Sequence, residues 1–178
     1  MRFPALTGAA SAALIMLALL VAPAPARAQA QAAQYFLQLD GIQGDSTDAK
    51  YPFAIVLLGY SLGGDDGRSE GASIKVTKYL DRASPKLWLA NLTGTHIRSA
   101  TLTSRRPPPS GFVFAEVKLQ DVIIARYVAS SSQQGQTEEV TLQGAKAQFC
   151  QKAQKADGSP GASVCGCWDF KMRGTCSV

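Results

Sequence analysis

Histidine is almost missing from this 178-residue chain: His96 stands alone, which excludes a metal centre built on several imidazoles. Charge is sparse too, at 17% of residues, and the basic side chains form no run. Nucleic-acid binding calls for a clustered basic patch with stacking aromatics, and neither is visible. There is no glycine-rich phosphate loop. Asp65 and Asp66 lack the spacing and closing glutamate of an EF-hand, so they read as a solvated loop tip. Cysteine is absent before Cys150, no internal repeat appears, and past residue 22 nothing is long and apolar enough to cross a bilayer.

The one long apolar run lies at the start. Arg2 supplies the positive end, residues 9–22 are apolar, and Ala26-Arg27-Ala28 fits a small-x-small cleavage site. The run falls short of the roughly 20 residues a span needs, and Pro23 and Pro25 close it. Residues 1–28 are therefore read as a secretory signal peptide cut before Gln29, with Ala30–Gln31 as second choice. Export by Sec to the periplasm or the medium follows, with no transmembrane segment retained. Residues 29–178 are enough for one domain that buries roughly 70% of its unfolded surface. Arg2 and Arg27 leave with the leader, so 18 basic residues become 16 against 13 acidic, and the formal charge falls from +5 to about +3.

Cys150, Cys165, Cys167 and Cys176 all fall in the segment 150–178. After export an even number of cysteines favours disulfides, and the C-x-C spacing is not the usual zinc knuckle. Cys165 and Cys167 are poorly placed to bond each other, which leaves two connectivities open. Either would pin the C-terminal segment to the preceding strand or to the tail.

Alternating patterns dominate the rest. Residues 35–39 alternate weakly and end at Asp40-Gly41, a strand and a turn. Residues 41–50 are a polar connection, and 53–60 are an apolar run of strand formers. Ile74, Val76 and Leu80 alternate with polar residues, broken only by Lys78, as in a strand buried on one face. Ser84 before Pro85 is a helix-start pair, Leu87, Ala90 and Leu92 lie on one side, and Gly94 supplies a left-handed stop. A helix of about two turns is expected over residues 85–92, between two strands. Three prolines make residues 105–111 a turn. Val113, Ala115, Val117 and Leu119 then alternate with polar residues, Asp121 interrupts, and 122–128 continue as a second segment. Residues 130–138 read as a polar loop. In the last long strand, Val140 and Leu142 use even positions, whereas Ala145, Ala147 and Phe149 use odd ones. A β-bulge at or beside Gly144 would keep both halves on one core. Residues 164–172, with Trp168, form a final strand. Many strands, one short helix and Gly/Pro turns predict a mostly β fold, a barrel or two packed antiparallel sheets.

The sharpest enzymatic signal is Gly59-Tyr60-Ser61-Leu62-Gly63, a G-x-S-x-G nucleophile elbow with Asp81 and His96 following in triad order. The elbow requires strand, turn and helix, and the following GDDGRSEG cannot make that helix. His96 follows the helix terminator as a loop or strand-edge residue. Asn91-Leu92-Thr93 matches the glycosylation pattern at a helix end by coincidence, and Trp88 and Trp168 read as packing residues. The expectation is no enzyme, no metal and no cofactor.

Longer stretches carry a resemblance. KYLDRASPKLW followed by TGTHIRSATLT, opened by YFLQLDGIQGDSTDAK and closed by VKLQDVIIARYVASSS, EEVTLQGAKAQF and KADGSPGASVCGCWDFK, resembles the Hcp (haemolysin-coregulated protein) family of type VI secretion. The similarity runs from Tyr35 to about Lys171. It implies an Hcp-like β-barrel with a flanking helix, whose copies form hexameric rings that stack into a tube able to carry effector cargo. It also implies that the loop holding Gly63, Gly64, Asp65, Asp66, Gly67 and Arg68 contacts the neighbouring ring. Ring formation suits long strands whose edges need covering. The leader and the clustered cysteines go beyond the family's pattern and agree with each other. They support a second reading, a monomeric periplasmic or secreted binding module on the same barrel.

Overall fold

The structure, a computed structural model, describes residues 32–63, 71–133, 135–155, 157 and 159–176. The expected leader lies outside the described residues. Those residues form β1 (Gln34–Leu39), β2 (Ile55–Leu57), β3 (Gly59–Gly63), β4 (Ala72–Tyr79), α1 (Ser84–Thr93), β5 (Ile97–Arg105), β6 (Val113–Ser132), β7 (Gly135–Gln154), β8 (Pro160–Asp169) and β9 (Gly174–Thr175). The strands pair antiparallel in the order β2-β1-β5-β6-β7-β4-β3. β2 and β3 end that order, yet only Leu58 separates them in sequence, and its N–H donates to Thr77 O of β4 at 2.8 Å. The apolar run at 53–60 is thus one bent strand, pairing with β1 through its first half and with β4 through its second. It closes the sheet into a barrel and removes two edges at once.

The β6–β7 hairpin serves both halves of this barrel. One edge of β7 pairs with β6 throughout, while the other pairs with β4 over residues 137–144 and with β8 over 146–154. The handover falls at Ala145, where the change of phase read from the sequence does occur: Val140, Leu142 and Gly144 are buried, and then Ala147 packs on the core. The expected bulge at Gly144 does not. Instead β6 changes phase at the same level, from Val117 and Leu119 to Val122 and Ile124, through Asp121 at φ 52°. Equal shifts in both strands preserve the register, with Gln120 opposite Lys146 and Val122 opposite Gly144. A true bulge comes later, where the register slips between Ile124 and Arg126, and it turns Tyr127 back toward the core.

Leu37, Ile55, Leu102 and Leu119 from one side of the folded sheet meet Ile74, Val76, Val140 and Leu142 from the other in a single cluster. This is the mostly β, antiparallel barrel the sequence predicts, built from one sheet rather than two. The helix adds Leu87 and Ala90, and Gly94, at φ 63°, donates its N–H to Ala90 O as the left-handed stop. Three local expectations change. Ser84 is the first helical residue and makes no cap bond, because its hydroxyl is turned into a buried polar cluster. Leu80 and Leu92 are exposed rather than buried, since β4 ends at Tyr79 and the helix stripe stops at Ala90. Residues 130–138 are mostly ladder, with Ala129 opposite Glu138 and Ser132 opposite Gly135, because an exposed polar hairpin tip ending at a buried Glu138 shows no hydrophobic period.

All four cysteines are bonded, as Cys150–Cys165 across directly paired positions of β7 and β8, and as Cys167–Cys176 holding the tail to β8. Of the two connectivities left open by the sequence, this is the one present. Non-reducing peptide mapping of the oxidised chain is expected to recover these two links; four free thiols, bound zinc or a Cys150–Cys167 peptide would count against them. A Cβ on Gly144 would lie 2.9 Å from Leu119 Cβ and 3.2 Å from Lys146 O, whereas one on Gly166 meets open space. Gly144→Val is therefore expected to lower stability by about 1–3 kcal/mol. Gly166→Ala should stay within about 0.5 kcal/mol of the parent, with both read from urea midpoints.

Candidate functional site

The hydrolase residues are not assembled. Gly59-Tyr60-Ser61-Leu62-Gly63 is β3 itself, with Ser61 exposed and paired opposite Lys75, and the next element among the described residues is β4. Asp81 Oδ1 lies 2.8 Å from Lys78 Nζ and accepts the Ala83 N–H at 2.9 Å. His96 Nδ1 lies 2.5 Å from Asp121 Oδ1. Among the described residues no hydrogen bond links Ser61, Asp81 and His96, and no group of three or more His, Cys, Asp or Glu side chains could hold a metal. Asn91 donates its amide to Ile124 O at 2.8 Å, so its side chain ties the helix to β6.

The most tightly built polar constellation is buried at the start of the helix. Lys78 projects inward from β4, directly opposite Glu138 of β7, and both are essentially inaccessible. The Lys78 ammonium pairs with Glu138 Oε1, donates to Ser84 Oγ at 3.2 Å, and pairs with Asp81 Oδ1 at 2.8 Å. Ser84 Oγ donates to Glu138 Oε1 at 3.1 Å and accepts the Asp81 N–H at 3.0 Å. Tyr127 donates its hydroxyl to Glu138 Oε2 at 2.5 Å. Burial first, and the Glu138 carboxylate second, push the Tyr127 phenol well above its ordinary value, so it stays a neutral donor. Every polar group in the cluster has a partner, as burial demands.

The cluster anchors a helix whose outer side is unusually apolar. Trp88, Leu89 and Leu92 are 52%, 55% and 63% exposed, so Trp88 is not the packing residue the sequence suggests. Trp168, at 43%, is not one either. Elsewhere Arg105 lies over the rings of Phe36 and Tyr51, at 4.8 Å and 5.2 Å, and donates to Gln34 Oε1 at 3.0 Å. Its guanidinium also pairs with Asp48, holding the polar connection after β1 onto the barrel. Burial raises the Asp48 pKa, but Arg105 and the N–H groups of Lys50 and Tyr51 outweigh it and leave that carboxyl below the usual range. The Lys171 ammonium, and His96 after it, likewise hold Asp121 low and tie the tail to the β6 phase change. Of the residues expected to contact a neighbouring ring, Gly63 ends β3 opposite Ser73. Gly64, Asp65, Asp66, Gly67 and Arg68 lie outside the described residues.

Comparison with known proteins places this geometry. The family model described as "Type VI secretion system effector, Hcp" matches residues 36–149. The chain belongs to the Hcp family of type VI secretion. The protein hcp1 of Pseudomonas aeruginosa PAO1 is 28% identical over 144 residues, covering 72% of this chain and 88% of that one. The crystal structure of Hcp1 from Salmonella typhimurium matches with a TM-score of 0.73 at 26% identity, over 82% of this chain and 99% of that one. A type VI secretion system effector from Yersinia pestis matches with a TM-score of 0.66 at 26% identity, over 76% and 98%. Hcp is a family of tube proteins and not of enzymes. Among the described residues no helix is long and apolar enough to cross a membrane.

Sequence reasoning missed the buried cluster, although its signal was present: Lys78 is the residue that breaks the alternation of β4. Removing one member should cost far more than removing both. Glu138→Ala is expected to destabilise the fold by about 3–5 kcal/mol, because it takes the buried carboxylate from a buried ammonium and leaves it only the partly exposed Asp81. The double variant Lys78→Met/Glu138→Leu should recover most of that in denaturant unfolding; equal losses would refute the pairing.

Proposed function

We propose that this Hcp-family chain is a structural, non-enzymatic protein that is exported by Sec and assembles with itself into hexameric rings that stack. Its principal partner is a further copy of the same chain. Other type VI components or effector cargo are secondary partners, and no cofactor is required. The family match over residues 36–149 supports this reading. The observation that carries it is the exposed apolar outer side of the helix, Trp88, Leu89 and Leu92, held rigidly by the cluster beneath. Such a patch on a secreted chain calls for a protein partner. Ring stacking would use the loop of Gly63, Gly64, Asp65, Asp66, Gly67 and Arg68. The doubly stapled tail favours a second reading, a monomeric binding module on the same barrel.

Light scattering on the oxidised chain of residues 29–178 separates the two. A mass of about six subunits is expected for the ring-former, and Leu89→Glu/Leu92→Glu should reduce it to that of a single chain. A monomer at every concentration would retire the ring reading in favour of the binding module.

A further inference from the structure

The phase change shared by β6 and β7 leaves an opening. Where β7 passes its edge from β4 to β8 at Ala145, the two strands part, and a cleft of about 460 Å³ opens at the mouth of the barrel. Its floor is core: Ile74, Val117 and Leu119 are buried yet line it. One wall is Leu62, opposite Ile74 on β3, and the other is Phe149 and Trp168. Two ladder rows run into it, Val117–Phe149–Gly166 and Leu119–Ala147–Trp168, which puts their side chains on one face. Leu62, Phe149 and Trp168 all remain 41–43% exposed. Gly166 bears no side chain where one would have open space, and this keeps the cleft clear.

We infer that this cleft is a binding site for a small, uncharged, apolar molecule. No charged residue lines it, and Ser73 and Gln148 are the polar residues on its strands. An ionic ligand would lose its hydration there without gaining a counter-charge. The volume falls within the range of small-molecule sites, which favour the mouths of β-barrels and apolar walls with few polar groups. Trp168 and Phe149 offer aromatic surface against a flat or chain-like ligand. The concavity favours such a ligand over a protein face, because its floor reaches the barrel core.

The test uses the oxidised chain of residues 29–178 and the neutral fluorophore N-phenyl-1-naphthylamine, in a Trp88→Phe background so that Trp168 is the only reporter. Saturable binding at one probe per chain, with quenching of Trp168, is expected. Gly166→Leu fills the cleft and should weaken binding at least tenfold while leaving the urea midpoint near that of the parent. Should that variant fold poorly, Trp168→Ser provides the same test through probe emission. Met172→Gln, at an exposed position outside both the cleft and the helix, should bind as the parent does. Absence of saturable binding overturns the proposal, as does binding indifferent to both cleft variants. If hexamers form and only dissociated chains bind the probe, a second copy is the natural occupant and the small-molecule assignment falls.

Discussion

A fully buried ammonium is the constraint on which the rest of this barrel depends. Lys78 leaves the solvent on the inner face of β4, where a lone charge would be prohibitive. Its counter-charge, Glu138, stands directly across the ladder on β7. A one-residue slip of β4 against β7 would present Thr137 or Glu139 instead and turn every apolar neighbour to the wrong face. The pair therefore selects the register as well as satisfying the charge. Ile74, Val76, Val140 and Leu142 fall into the core as a consequence.

The same pair determines where the helix sits. Ser84 could have capped the helix, as a serine before Pro85 usually does. It gives its hydroxyl to Glu138 and accepts from Lys78 instead, and Asp81 adds a second carboxylate. The Tyr127 hydroxyl, brought inward by the bulge on β6, donates to the second carboxylate oxygen of Glu138. Four segments meet on one ammonium–carboxylate pair, and the helix start is locked to the barrel without a cap bond. A helix fixed in this way can present Trp88, Leu89 and Leu92 to water without needing them for its own packing.

Much of the fold is legible in the sequence because its period is explicit. Alternation marks β4, β6 and β7, Pro85 and Gly94 bracket the helix to within one residue, and the switch from even to odd positions after Leu142 announces the phase change in β7. What the period cannot say is how the partner strand responds. The matched change at Asp121 is visible only as an interruption, and it takes the paired register to show that no bulge is present. Polar ladder at 130–138 leaves no hydrophobic trace. Lys78 and Ser84 each carry a local meaning, a break and a cap, that tertiary pairing overrides. Trp88 and Trp168 are large and apolar, and a single chain gives no sign that their surfaces stay uncovered. The cysteine pairing follows from β7–β8 register, which the tail's composition does not reveal.

The phase change also explains why the tail needs staples. By sending β4 and β8 to different halves of one β7 edge, it leaves β8 and β9 outside the closed barrel, where little of their surface is buried. Ladder bonds alone hold an outlying strand weakly, and an unpaired edge invites association with other chains. Cys150–Cys165 ties β8 to β7 at a paired position, Cys167–Cys176 closes the short tail, and Asp169 takes the N–H groups of Lys171 and Met172 while meeting Lys146. Covalent links stand here in place of a hydrophobic face, an arrangement suited to an oxidising compartment. The tail is thereby held open as a wall beside the barrel mouth, rather than collapsed onto it, with Trp168 facing the cleft.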